Sequence, residues 1–251
     1  MSVLTILKKN IKWRFSHAFT IVITILQPIL WLVLYSTVAQ ESMQLSGINN
    51  YTAFIFSGLI ILVSFSTCGS SGIMNYMMKS NGSFYRILIA PIKRSSIILG
   101  QAFEAILCSF LEIFIMSMIG LLFSVNIFQN LTGLFIIILL VFLSAFFMST
   151  IAYGISLILP NEMMYETLMN AIVLPIFFLS SALFPTKEIS GILQIIVNLN
   201  PFTHVINSIR SIILTGTIQL NMLALTVTIL ILMCLVSFSF ARYRLQKEMD
   251  M

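Results

Sequence analysis

Long apolar runs alternate with short polar breaks along the whole chain. The runs at 18–38, 52–74, 97–122, 131–159, 167–183 and 220–240 are read as six membrane-spanning helices. Crossing a hydrocarbon core of about 30 Å takes roughly 20 apolar residues in a helix. Alternating segments of about ten residues, which would mark a membrane barrel, are not found. The first run is about 22 residues, longer than the roughly 7–15 of a cleaved leader, so it is read as a span. The expected fold class is an all-α membrane protein built as a single transmembrane domain over 1–251.

The breaks between the runs carry the remaining pattern. Over 1–17, Leu4, Leu7, Ile11 and Phe15 fall on one helical face and Lys8, Lys9 and Lys12 lie opposite. That arrangement predicts a helix lying flat in the headgroup layer, or a plain basic flank for the first span. The stretch 76–96 is polar and basic. Asn81, Gly82 and Ser83 predict a turn and cap leading into a short helix through Leu88, which Pro91 stops. The segment 184–216 is apolar but punctuated. One short helix is expected over 189–197 and a second after Asn200-Pro201, an N-cap followed by proline at the first helical position. In the second, Phe202, Val205, Ile206, Ile209, Ile212 and Ile213 form an apolar face, and Thr203, Asn207 and Arg210 are placed on the other. Neither is long enough to span, so both are read as lying in the outer leaflet.

Composition agrees with this pattern. Hydrophobic residues make up 59% of the chain and charged residues only 8%, against about 25% charged in soluble domains. Mean hydropathy is +1.05. The formal charge of +5 does not indicate nucleic acid, because the basic residues sit at helix ends. Lys8, Lys9, Lys12 and Arg14, then Lys79, Arg86, Lys93 and Arg94, then Arg242, Arg244 and Lys247 fall on one side of a six-span topology, and Lys187 and Arg210 on the other. The positive-inside bias therefore places both termini in the cytosol. The linker 160–166 carries Glu162 and Glu166 without a basic residue and gives that rule no support.

Small residues gather in two places. Ser64, Ser66, Gly69, Ser70, Ser71 and Gly72 in the second span permit close helix approach or line a polar path. Ala145, Ser149, Ala152 and Ser156 form a stripe on the fourth, read as a packing seam. Cys68, Cys108 and Cys234 fall inside apolar runs and read as small buried residues.

Candidate chemistry is sparse. None of the eleven glycines is followed by lysine, so the phosphate-cradling G-x-x-x-x-G-K-[ST] loop is missing. No H-E-x-x-H motif occurs, and His17 and His204 lie far apart in sequence. The sharpest feature is the pair of carboxylates in the third span, Glu104 and Glu112. A charge at mid-membrane costs about 2.5–3.5 kcal/mol. Glu112 therefore lines a wet translocation path favouring a cationic or polar substrate, or is hydrogen-bonded to serine or asparagine on a neighbouring helix. Glu104 is about 12 Å away along the axis and roughly 80° around it, so the two do not form an acid pair. Asn170 joins them as a candidate for the path. Arg210 is read as a headgroup anchor or, less favourably, a substrate contact.

Two segments resemble the permease subunit of ABC-2 type exporters, the group with drug-resistance, nodulation-factor and polysaccharide exporters. One is Phe84-Tyr85-Arg86-Ile87-Leu88-Ile89-Ala90-Pro91, similar to the family's cytosolic arginine-leucine-leucine-x-x-proline stretch. The other is Phe178-Leu179-Ser180-Ser181-Ala182-Leu183-Phe184-Pro185, followed by Leu199-Asn200-Pro201-Phe202-Thr203-His204, then Arg210 and Gly216. Ser181 stands where glycine is common, and the acidic residue usual before Gly82 is replaced by Ser80-Asn81. The resemblance implies a permease working as a dimer, either two copies or a pair of homologues, over two separate ATPase subunits that hold ATP and magnesium. It implies that Ser83, Phe84, Tyr85, Arg86, Leu88 and Pro91 couple to the ATPase, and that Pro185, Asn200, Pro201, His204 and Arg210 form an outer gate. The expected function is export of an amphipathic drug, peptide, lipid or lipid-linked glycan across a bacterial plasma membrane, with no enzymatic activity or cofactor in this chain. A proton-coupled carrier using Glu104 and Glu112, and a non-transporting assembly factor, are the alternatives.

Overall fold

A computed structural model describes residues 3–15, 26–34, 37, 50–88, 93–123, 125, 127, 130–183 and 191–249. All regular structure among them is helical. In chain order the helices are α1 (Val3–Phe15), α2 (26–34), α3 (Tyr51–Ser70), α4 (Ile73–Ser80), α5 (Ser83–Leu88), α6 (Arg94–Leu122), α7 (Leu131–Ser156), α8 (Glu162–Phe178), α9 (Ile192–Leu199), α10 (Pro201–Thr215) and α11 (Leu220–Met249).

Among the described residues, four helical stretches are long and apolar enough to cross a membrane: Tyr51–Ser80, Arg94–Leu122, Leu131–Ser156 and Leu220–Glu248. The first is the centre of the bundle, with 89% of its most apolar window inside the molecule, against 22% for the last. Its core residues Ile55, Phe56, Leu59 and Ile60 meet Leu140, Val141 and Ala145 of α7, Val205 and Ile209 of α10, and Leu32 of α2 in one cluster. The outward residues of α11, among them Leu232, Leu235 and Val236, stay exposed on the isolated chain. In a bilayer such a face meets lipid tails, which are as apolar as leucine.

The small-residue segments divide by position. Gly72 has room only for hydrogen: a Cβ there would lie 2.3 Å from the Tyr165 hydroxyl. That hydroxyl donates to the Gly69 carbonyl, tying α8 to α3. Gly58 similarly lets the backbone at Ala182 approach, with a built Cβ 2.9 Å from its Cα. Ser66 and Ser70 instead face a groove described below. On α7, Ala145, Ser149, Ala152 and Ser156 are all buried, and Ser156 accepts from Asn75 Nδ2.

Several boundaries differ from the sequence reading. The run read as 167–183 is a helix over Glu162–Phe178, because the Asn161 side chain caps it early by accepting from the Met164 N–H. It ends before 183 in a tight turn at 179–183. The short helix expected over 189–197 is Ile192–Leu199, preceded by Gly191 at φ 72°, a left-handed conformation that favours glycine. The fourth apolar helix stops at Ser156, not 159. The last continues to Met249, nine residues past the expected end at 240. Its 30 residues give about 45 Å of helix, more than a hydrocarbon core of about 30 Å needs. The surplus turns carry Arg242, Arg244 and Lys247 and bury Leu245 beside Phe84.

Candidate functional site

Three sets of predicted site residues occupy three places in the bundle. The first is a groove of about 250 Å³ between α2, α3, α6 and α8. Glu112 of α6 reaches its wall, and Thr67 of α3 donates its hydroxyl to Glu112 Oε2. Ser66 and Ser70 share the wall, and the amides of Gln27 and Asn170 face it from α2 and α8. Trp31, Leu62, Leu174, Phe177 and Phe178 supply the apolar remainder. Such a groove offers one carboxylate, hydroxyl and amide partners, and aromatic surface. That combination suits an amphipathic molecule with a polar or cationic end.

Glu112 thus has a hydroxyl partner on a neighbouring helix, a threonine where serine or asparagine was expected, and also borders the groove. Asn170 meets Glu112 at this groove. Glu104 does not. It is fully enclosed, accepts from Cys108 Sγ at 3.5 Å, and lies away from the groove. Thr67 was missed in the sequence, although its place between Ser66 and Ser70, three residues from the latter, puts it on their face.

The second place is the end of the bundle formed by α1, α4, α5 and the last turns of α11. Ser83 begins α5, its N–H donating to Asn81 Oδ1 at 3.0 Å. Phe84 is buried with Met74, Met78, Tyr153, Ala241 and Leu245. Tyr85 points outward, 61% exposed, and Arg86 is exposed beside it. Lys79 lies 5.2 Å from the Phe84 ring and 3.5 Å from Glu248. Leu88 ends the helix; its side chain, and Pro91, lie outside the described residues. The linker 157–161 is at this same end, since Tyr76 donates to the Leu159 carbonyl at 3.1 Å.

The third place is the opposite end, where α8 stops and the chain turns into α9 and α10. A helix end leaves carbonyls without intrahelical donors. Asn200 Nδ2 donates to Ile176 and Leu179 carbonyls at 2.8 and 2.9 Å, while Asn200 Oδ1 caps α10 by accepting from the Phe202 N–H. Pro201 occupies the first turn of α10. His204 Nε2 is 3.0 Å from the Asn198 carbonyl. Pro185 lies outside the described residues.

Arg210 departs from its sequence reading. It is 8% exposed, so it anchors no headgroup. Its Nη2 donates to the Ser181 carbonyl at 2.6 Å and the Ala182 carbonyl at 3.2 Å, and its Nε to the Phe54 carbonyl at 3.2 Å. The guanidinium also sits 3.5 Å from the Phe54 ring centre. Thr203, placed on the polar face with it, is buried too. The reason is that both sides of α10 are covered, one by α3 and the other by the 179–183 turn. A guanidinium is the side chain that can reach three carbonyls from one point.

Comparisons with known proteins agree with this architecture. A family described as the ABC-2 type transporter matches residues 1–214. Proteins named as transport permease ycf38 are similar over most of the chain. That of Cyanophora paradoxa is 30% identical over 76% of this chain and 67% of its own length. That of Porphyra purpurea is 32% identical over 80% and 69%, and that of Pyropia yezoensis 30% identical over 79% and 68%. With four membrane-length helices already on the page, the match decides the class: the chain belongs to the ABC-2 type transporter family and is a multi-pass transport permease.

Proposed function

We propose that this permease exports an amphipathic molecule, driven by a separate ATPase that docks on the end carrying α5. The observation that carries the reading is the construction of that end. Phe84 is sunk among α4, α7 and α11, whereas Tyr85 and Arg86 on the next positions stay exposed. A push on the exposed side of α5 therefore reaches three membrane-length helices through one buried ring. The groove beside Glu112 is the proposed substrate path, and the working unit is a dimer of permeases.

Six crossings complete the proposal. The α2 stretch and α8 add the two spans beyond the four long helices. Helix α8 has 17 residues, about 26 Å, so the turn after it lies within the outer leaflet. Backbone at that depth must be covered by protein, which the Asn200 and Arg210 contacts provide. Both termini are cytosolic, as the distribution of lysine and arginine indicates. The proposed location is a bacterial plasma membrane; the relatives named above are algal. A proton carrier using both carboxylates is disfavoured because Glu104 is enclosed apart from the groove.

The test is copurification. An ATP-binding-cassette ATPase from the same organism, coexpressed and extracted in mild detergent, is expected to copurify with the wild type. Arg86→Glu should weaken its retention about tenfold while membrane insertion is unchanged. Undiminished retention would remove Arg86 from the docking surface, and transport that persists without any ATPase would remove the motor.

A further inference from the structure

At the cytosolic end, α1 does not simply lie beside the bundle. Ile6 is buried against α6, where a Cβ on Gly100 would come within 2.8 Å of it, and it shares a cluster with Met74, Met78 and Phe84. One turn further along α1, a second cavity of about 350 Å³ opens between α1 and the α4–α5 corner. It belongs neither to the groove at Glu112 nor to the exposed face of α5.

The chemistry of this cavity is one-sided. Lys9 and Lys12, both exposed, line its rim from α1, and none of its lining residues is acidic. Asn10 also lines it, is 2% exposed, and its Nδ2 finds no acceptor among the described residues. That Nδ2 is itself closed to water, so Asn10 borders the cavity without donating into it. Asn81 already spends its Oδ1 on the Ser83 N–H, which leaves its amide hydrogens as further donors. Partial desolvation lowers the pKa of Lys9 from its ordinary value, a burden that a bound anion relieves. Two ammonium groups and amide donors without a carboxylate select an anion with several oxygens, the pattern of a phosphate group.

The remaining wall is Met74, Met77 and Met78, in the last two turns of a membrane-length helix. A free phosphate ion gains nothing from thioether side chains, whereas an acyl chain fills such irregular apolar surface well. From this we infer that the cavity between α1 and the α4–α5 corner binds the headgroup of one anionic phospholipid of the inner leaflet. Lys9 and Lys12 hold its phosphate, and the methionines take the first part of its acyl chains. Because Ser83 borders the same cavity and begins α5, the bound lipid joins α1 to the start of that helix. This site does not depend on the identity of the motor or the substrate.

The experiment is native mass spectrometry of the full chain, purified in neutral detergent and given equal amounts of phosphatidylglycerol and phosphatidylcholine. The wild type is expected to retain one phosphatidylglycerol per chain at least about fivefold over phosphatidylcholine. Lys9→Gln with Lys12→Gln should reduce that preference to less than twofold. Lys8→Gln, an exposed lysine that does not line the cavity, should leave it unchanged. Equal retention of both lipids overturns the site. So does an equal loss in Lys8→Gln, which would reduce it to the diffuse charge of a basic helix. If millimolar inorganic phosphate displaces phosphatidylglycerol from the wild type, the occupant is a free anion and the lipid assignment fails.

Discussion

The two ends of the bundle hold their charges in opposite ways. At the end carrying α9 and α10, proposed as the outer one, Arg210 is sealed from solvent and bound to the carbonyls of Phe54, Ser181 and Ala182. At the end carrying α5, proposed as the inner one, Lys79 and Glu248 approach only to 3.5 Å, with side chains 27% and 22% exposed. The first network is desolvated and made with backbone, so losing it leaves buried acceptors behind. The second is open to water and salt, and its loss strands nothing. On the proposal that a motor pushes on α5, the loosely held end is the one free to shift, and the tightly held turn is the one that keeps its shape.

The comparison breaks most visibly at Arg210. Arg210→Met should strand at least two buried carbonyls, at about 1–3 kcal/mol each. For a chain of this size that corresponds to a fall of roughly 4–24 °C in Tm, taking about 2–4 °C per kcal/mol. Arg210→Lys should recover only part of it, because an ammonium does not reproduce the fork of a guanidinium. Thermal unfolding in detergent measures both. A loss in Arg210→Met no larger than that from cutting the Lys79–Glu248 pair would mean the two ends are not differently built.

How far the sequence foretold these places follows from their physics. Ser83–Leu88 was legible because turn chemistry, a cap and a proline are all local signals. So was the α10 start at Asn200-Pro201, for the same reason. The burial of Arg210 was not legible. Helical periodicity placed it opposite an apolar face, but α10 is covered on two sides, and what covers its second side comes from residues 29 and 28 positions earlier, Ser181 and Ala182. Glu112 was recognisable as costly in a membrane, yet its Thr67 partner is 45 residues away. The surplus turns of α11 were missed because hydropathy marks where the membrane ends, while a helix continues as long as Leu245 has something to bury against.

Between the two ends, α6 carries its own contrast in miniature. Glu112→Gln removes the groove's carboxylate and should lower export of a cationic amphiphile about tenfold, the equivalent of 1.4 kcal/mol. Export of a neutral amphiphile should change less than twofold. Glu104→Gln, away from the groove, should affect both substrates equally through stability. Uptake into inverted vesicles with paired substrates separates these outcomes, and an equal loss of both substrates in Glu112→Gln would assign Glu112 to packing alone.

The smallest effect is expected at the end carrying α5. Exposed ion pairs contribute about 0.2–1 kcal/mol, so Glu248→Ala should lower Tm by no more than roughly 4 °C. At an ionic strength of 1 M the screening length shrinks to about 3 Å, shorter than the pair itself, and the difference from wild type should disappear. Arg210→Met should keep its deficit under the same salt, because carbonyl contacts inside the protein are not reached by mobile ions. The salt dependence, more than either Tm shift alone, separates the two ends: a deficit in Glu248→Ala that survives high salt would show that Glu248 acts by anchoring the last turns of α11 against Phe84, and the inner end would then be as firmly built as the outer.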